Sequence, residues 1–384
     1  MTKFTTARNL SAQEKINWIR LARSENVGKS TFFRLLKIFG SVSRALDRIS
    51  DCAVKGGLHR QIKVFSLEEA EKELINSRKM GAEIVTFYEE NYPRLLREIP
   101  DPSPILTIKG QTEIINRYAI GVVGPRNASF NGIAFARKIS AELGENSLVT
   151  SSGMARGIDT AAHESSIKTG TIAVIAGGID HIYPKENTEL YHKIAAQGLL
   201  ISESPFGAPP KGGNFIQRNR LISGLSLGVV VVEASLRSGS LVTARYAAEQ
   251  GREIFAVPGS PFDPRCHGTN RLIKQGAKLT ENIEDILEEL SSLKMRFGEV
   301  GMLQEPEAEE FISPTPKIPN DREIDKIREE IFSKISFVPV SVERIIQELD
   351  VSARVVNIAI VQLELAEKVE VKYGKVILKA GSIA

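Results

Sequence analysis

The chain has 384 residues, 42% hydrophobic and 25% charged, with a formal net charge of +3; this is too long for one compact core, so two or three domains are expected. Its two cysteines, Cys52 and Cys266, form neither a CxxC pair nor a disulfide framework, which fits a reducing compartment. Its five histidines lack ligand spacing, which speaks against a metal site although His163, His181 and His192 share a domain. The first residues carry no apolar leader, and no apolar run nears the ~20 residues of a membrane span. A cytoplasmic protein without a membrane partner is therefore expected.

Five segments follow in chain order: a helical domain over 1–65, a connector over 66–116, a sheet domain over 117–292, a linker over 293–321 and a last domain over 322–384. In the first, apolar periodicity around Ile16–Ala22 and Phe32–Phe39 predicts two helices, the second ending at Gly40. Between them Asn26-Val-Gly-Lys-Ser-Thr31 looks like the tail of a phosphate-binding loop. That motif needs a glycine where Arg23 stands and a preceding strand, so a helix–turn–helix module of SAM or helix-hairpin-helix type is the better reading. The connector offers a charged amphipathic helix over Leu67–Met80, a strand over Glu83–Phe87, and a proline-rich extended path beyond Glu98.

From Arg117 onward strands and helices alternate. Apolar runs predict strands at Ala119–Val123, Leu148–Thr150, Thr171–Ala176, Leu199–Ser202, Leu227–Val232 and Glu253–Val257. Helices fit at Gly132–Leu143, Asp159–Lys168, Glu189–Ala196 and Leu241–Gln250. The fold class is α/β, an extended Rossmann-like, doubly wound, mostly parallel sheet, whose ligands sit at the carboxyl ends of the strands. After a Pro- and Glu-rich stretch over 302–320, helices at Ile324–Ile335, Val342–Leu349 and Ala353–Leu365 and a hairpin turning at Tyr373-Gly374 predict a winged helix. Its third helix carries one cation, Arg354, too few for a groove-reading helix, so docking or regulation is the preferred role.

The chemistry gathers at the predicted strand ends. Gly124-Pro-Arg126 follows the first strand; GxGxxG is absent and the second strand ends in Ser151-Ser152 rather than an acid, which argues against a dinucleotide cofactor. Arg126 beside a helix N-terminus suits a phosphate. Gly153 and Gly157 permit close backbone approach, Ser152 and Gly153 are expected among the nucleic-acid-binding residues, and Asp159 is placed to cap the next helix. The turn Gly177–Asn187 reads as a structural wall of the crevice. Lys211, Arg218 and Arg220 bring charge and Phe215 brings a ring, the parts that hold a single-stranded polyanion; Ser238, Gly239 and Ser240 open a helix after the apolar strand. Arg218 and Arg220 lie two apart, so on a helix they point different ways. Between Ala119 and Thr280, 17 Lys and Arg against 12 Asp and Glu give +5, more than the whole chain's excess.

Taken in order, Tyr92-Pro-Arg-Leu95 with Asp101-Pro102, Gly124-Pro-Arg126, Ser152-Gly-Met-Ala-Arg-Gly-Ile-Asp159, Gly178-Ile-Asp-His-Ile-Tyr-Pro184 with Asn187, and Ser202-Glu-Ser-Pro205 resemble the bacterial DNA-processing protein A (DprA/Smf) family. Phe215-Ile-Gln-Arg-Asn-Arg220, Ser238-Gly-Ser-Leu-Val-Thr-Ala244, Val257-Pro-Gly259 and Gly268-Thr-Asn-Arg-Leu-Ile273 with Gly276-Ala277 extend the resemblance. It is dense from Asn91 to Ala277 and looser at both ends. The resemblance implies a non-catalytic, cofactor-free, single-stranded-DNA-binding homodimer that protects incoming strands and loads the recombinase RecA on them during natural transformation. It implies phosphate or base contacts at Arg126, Lys211, Phe215, Arg218 and Arg220. Two positions depart from the family pattern: Pro125 stands in place of a small hydroxyl residue, and Ile216 in place of a proline. A second reading is a nucleotide phosphoribohydrolase on a related sheet, with Glu233 assisting water and Ser238–Ser240 holding phosphate; its PGGxGT signature is missing. A third is an adaptor acting through its last domain alone.

Overall fold

The computed structural model describes residues 10–290, 320–372 and 374–380. The first residues, nearly all of the 293–321 linker and the expected hairpin turn at Tyr373 lie outside the described residues.

Three helices open the chain: α1 (Ala12–Arg23), α2 (Lys29–Phe39) and α3 (Val42–Lys55). Ser11 and Glu14 form a reciprocal capping box at the start of α1, satisfying donors the helix leaves unpaired. α2 stops at Gly40, whose left-handed φ of 77° disfavours any residue with a Cβ. The Trp18 and Phe32 rings pack tilted with centres 4.8 Å apart, and Phe33 meets Phe87 at 4.9 Å, so the helical domain shares an aromatic seam with the connector.

The connector is part of the sheet. After α4 (Leu67–Lys79) come β1 (Glu83–Thr86), the short α5 (Arg94–Arg97) and β2 (Ile105–Gly110). β1 pairs with β2, and β2 with β6, all antiparallel, adding two strands to one edge. Then β3 (Ala119–Val123), α6 (Phe130–Glu145), β4 (Val149–Ser152), α7 (Ile158–Ser166), β5 (Thr171–Ile175), α8 (Thr188–Gln197) and β6 (Leu199–Ser202) alternate. They continue as α9 (Gly212–Gly224), β7 (Ser226–Val231), α10 (Ser240–Glu249), β8 (Glu253–Ala256), α11 (His267–Lys274), β9 (Lys278–Leu279) and a helix over 284–290, α12. The nine strands run β1-β2-β6-β5-β4-β3-β7-β8-β9, parallel from β6 to β9. Strand order reverses between β3 and β7, which opens the crevice where doubly wound sheets receive ligands. β3, β4, β5 and β7 are buried along their whole length, as expected of a sheet covered on both faces.

The last domain packs α13 (Asp321–Lys334), α14 (Val342–Leu349) and α15 (Ala353–Leu365) with a three-stranded sheet of β10 (Val340–Ser341), β11 (Val369–Lys372) and β12 (Lys375–Leu378). α15 lies against α2 and α3 of the helical domain and is buried along most of its length. Asn26 donates to the Leu365 carbonyl at 2.9 Å, Arg34 pairs with Glu364 at 3.0 Å, and Arg354 donates to the Ile38 carbonyl at 3.2 Å. Gly56 sits so close to α15 that a Cβ there would lie 1.9 Å from the Gln362 carbonyl oxygen. The sole cation of the third helix is thus engaged by the helical domain.

Candidate nucleic-acid interface

The loops after β3, β4 and β5 and the first turn of α9 surround a cleft of about 550 Å³. Arg126 leaves the β3 loop, exposed, and its guanidinium carbon stands 5.4 Å from the centre of the Phe215 ring. It makes no ion pair with any acid among the described residues. Phe215 is half-buried on α9 and rests against Tyr183 of the β5 loop, ring centres 5.3 Å apart and planes inclined at 59°. Ile216, next along α9, points to solvent at 50% exposure.

Arg218 forms the floor of this cleft. Nη1 donates to the Val174 carbonyl at 3.0 Å, and its buried Nε has no hydrogen-bond partner among the described residues. Gly153 makes room for it, since a Cβ there would fall 1.7 Å from Nη1. Burial pulls the Arg218 guanidinium down to about 10, against the opposing charge of Asp159, so it stays cationic at neutral pH. Burial likewise raises the Asp159 carboxyl, and the Arg218 charge works against that rise. Asp159 was expected to cap α7; instead it sits inside the first turn, accepts from the Ala155 N–H at 3.2 Å and braces the loop before the helix. A buried His163 beneath, with Nδ1 2.7 Å from the Thr171 hydroxyl, is pushed down to about 3 by burial and stays neutral.

Lys211 occupies the N-cap position of α9, exposed, its ammonium without a hydrogen bond or ion pair among the described residues. Ser238, Gly239 and Ser240 begin α10, the neighbour of α9; Ser238 and Ser240 hydroxyls lie 2.7 Å apart, and Asn219 of α9 reaches the Gly239 carbonyl at 3.4 Å. Of the expected site residues, Arg126, Gly153, Phe215 and Arg218 line the cleft; Lys211, Ser238, Gly239 and Ser240 do not, and two more are buried away from it. Ser152 is buried with its hydroxyl donating to the Val122 carbonyl at 2.7 Å. Arg220 turns to the other side of α9, where its side chain is 1% exposed, pairs with Glu203, lies 3.3 Å from the Asp101 carboxylate and donates to the Asp101 carbonyl at 2.9 Å. The helical period separates the two arginines as their spacing predicted, and only Arg218 faces the cleft.

Tyr183 and Arg156 line the cleft as well; the sequence placed the turn that carries Tyr183 as a wall of the crevice but gave neither side chain a binding role. Tyr183, 44% exposed, was read as part of a structural turn; the signal was an aromatic beside Pro184 on the loop following a parallel strand. Arg156 lies 3.5 Å from Glu186 in an exposed pair, an arrangement worth little in water. Glu233, the acid of the hydrolase reading, is buried under the β3 loop, where the Ser129 N–H donates to it at 3.0 Å and the Ser129 hydroxyl bonds its other oxygen. No group of three or more His, Cys, Asp or Glu is placed to hold a metal among the described residues. No helix among them is long and apolar enough to cross a membrane.

Comparison with known proteins bears on the same elements. The family described as DNA recombination-mediator protein A matches residues 83–291, more than half of the chain. This chain belongs to that family. A DprA-like N-terminal helix-hairpin-helix domain matches residues 12–75 and a DprA winged helix domain matches residues 314–375. The chain is 44% identical over 225 residues to the DNA processing protein DprA of Bacillus subtilis (strain 168), covering 58% of this chain and 76% of that one. Among solved structures, DNA processing protein A of Streptococcus pneumoniae superposes with a TM-score of 0.60 at 32% identity, over 73% of this chain and 98% of that one. The same protein from Helicobacter pylori, whose structure was described for its single-stranded DNA binding mode, superposes with a TM-score of 0.51 at 30% identity, over 55% of this chain and 96% of that one.

Proposed function

We propose that this chain binds single-stranded DNA, without cleaving it, in the cleft of Arg126, Tyr183, Phe215 and Arg218 with Lys211 at its edge. The observation that carries the reading is the Arg126–Phe215–Tyr183 cluster: an arginine with no acid partner among the described residues stands over the Phe215 ring, which meets the half-exposed Tyr183 ring. Phosphates take the cations and base faces take the rings; stacking is worth ~1–3 kcal/mol per base and tolerates any sequence. The DNA-processing relatives, and the strand-binding description of the Helicobacter pylori protein, support the same choice. A strand held by phosphates and ring faces keeps its pairing edges outward, as a recombinase needs. Passing strands to a RecA-type recombinase, as a homodimer and during transformation, is the physiological role this binding mode serves.

Fluorescent oligo-dT binding across a salt series, with duplex DNA as competitor, tests the reading. Tight binding is expected, weakening with salt by a slope of about −0.7 per phosphate neutralised, and indifferent to duplex. Arg126→Ala/Lys211→Glu should reduce affinity by two orders of magnitude or so, about 2.8 kcal/mol. Unchanged affinity in that variant removes the cleft from consideration. Absence of binding by the wild type returns the phosphoribohydrolase reading to the front, and release of free base from nucleoside monophosphates would then decide it.

A further inference from the structure

The carboxyl-end rim of the sheet continues beyond this cleft. Along the strand order β5-β4-β3-β7-β8, the cleft occupies the loops of β5, β4 and β3, and the loops of β3, β7 and β8 form the rest. Phe130, after β3, is 93% exposed, and Phe262, after β8, is 94% exposed; they are the two most exposed large apolar side chains among the described residues. Single exposed apolar residues are ordinary on protein surfaces. These two differ in that the backbone carrying them is pinned.

Ser129, next to Phe130, is tied to Glu233 of the β7 loop by both its N–H and its hydroxyl. The Ala234 N–H of that loop donates to the Arg265 carbonyl of the β8 loop at 2.7 Å, and the Gly268 N–H returns to Ala234 at 2.7 Å. Gly259 and Asn270 exchange hydrogen bonds at 3.2 and 2.8 Å, and a His267 ring nitrogen lies 2.9 Å from the Pro261 carbonyl oxygen, closing the turn that presents Phe262. Rings fixed at the surface on braced loops add nothing to the core; they are presented.

The charges beside them follow the pattern of the cleft. Glu233 is turned inward and buried, and Asp263 is held by the Arg265 guanidinium at 2.8 Å. Arg237, on the β7 loop between the two rings, is exposed and makes no hydrogen bond or ion pair among the described residues. Arg126 belongs to both regions. The rim therefore presents unpaired arginines and accessible rings with its acids already occupied.

We propose that Phe130, Arg237 and Phe262 form a second strand-binding subsite, which carries single-stranded nucleic acid from the cleft along the rim by sequence-indifferent stacking. The inference rests on the cleft reading above. Four strand steps of ~4.8 Å separate the β5 and β8 loops, about 19 Å in all, so a short oligonucleotide fills the cleft alone and a longer one reaches the rim.

Full-length wild type and Phe130→Ala/Phe262→Ala, probed with fluorescent oligo-dT of about 4 and about 15 nucleotides, the span of common strand-binding site sizes, test it. Sedimentation equilibrium is run on the same samples. The double variant should bind the short oligonucleotide as the wild type does and lose at least roughly fivefold on the long one, with its oligomeric state unchanged. Arg237→Ala should lower the salt slope for the long oligonucleotide only. Wild-type affinity of the double variant for the long oligonucleotide overturns the rim subsite and leaves the cleft standing. A changed oligomeric state also overturns it and gives the two rings to a contact between copies of the chain. Failure of the wild type to bind either length sinks the cleft reading itself.

Discussion

α9 separates two concave regions that contain the same kinds of residue in opposite electrostatic states. On one side Arg126 and Arg218 line the strand-end cleft, Lys211 follows its lining residue Pro210, and no acid forms an ion pair with any of the three among the described residues. On the other, a cavity of about 890 Å³ between the helical domain, the sheet and the winged helix is equally rich in cations, and all of them but Arg218, which borders both regions, are matched by an acid. Arg220 meets Glu203 and Asp101, Lys29 meets Glu203 at 3.1 Å, and Arg23 meets Glu73 at 3.0 Å. Burial disfavours the Glu203 carboxylate, yet Arg220 and Lys29 outweigh it and hold its pKa below the usual range. The proposed binding places a polyanion on the side where pairing is incomplete; on the other side the charges join domains.

The largest effect that would break this comparison is expected at Glu203. Glu203→Gln leaves Arg220 and Lys29 buried beside an uncharged partner, and losing one member of a buried pair costs about 3–5 kcal/mol. Denaturant unfolding should show that loss, with oligo-dT affinity unaltered; the reverse pattern would place DNA on the paired side. In the wild type, the depressed Glu203 pKa means that its contribution to stability stands in full above the unfolded value of about 4.3 and is lost as pH falls through the lower folded value. Acid unfolding of the wild type should carry this slope, and Glu203→Gln should lack it.

Gly56→Ala comes next. Its Cβ would meet the Gln362 carbonyl, and overpacking of that kind costs about 1–3 kcal/mol. It should loosen the winged helix, raise proteolysis between the helical and last domains, and leave the strand-end cleft and its DNA affinity intact. Arg126→Ala reverses the readouts. Affinity for oligo-dT should fall about tenfold, ~1.4 kcal/mol, and the salt slope by about 0.7, with stability changed by less than about 0.5 kcal/mol. The smallest effect sharpens the comparison most: Tyr183→Ala should weaken oligo-dT binding by about 1 kcal/mol, and Tyr183→Phe should restore it, because the ring face and not the hydroxyl is used. Equal loss in both variants would assign Tyr183 to polar contact instead.

The alternation of strands and amphipathic helices was legible because strands buried on both faces are mostly apolar, β4 (Val149-Thr-Ser-Ser152) being the exception. β2 was harder, since it follows Pro100, Pro102 and Pro104 and reads as an extended tail until its antiparallel partners are known. α9 was hidden at its start by Gly212-Gly213, poor helix residues that stand in its first turn. The opposite directions of Arg218 and Arg220 follow from their spacing, but which one faces the cleft does not. Arg220 finds its acids at Asp101 and Glu203, 119 and 17 residues away, and a sequence displays a charge without its distant partner. Tyr183 escaped for a related reason: its ring is defined by the neighbour it meets, Phe215, on another element.

The seat of α15 on the helical domain also sets a schedule. The hydrogen bond from Asn26 to Leu365 spans 339 residues, and ribosomes add about 5–20 residues per second, so the partner of α2 and α3 emerges roughly 17–70 s after they do. Throughout that interval the nascent helical domain shows an uncovered apolar flank. Its maturation is therefore a late event of synthesis.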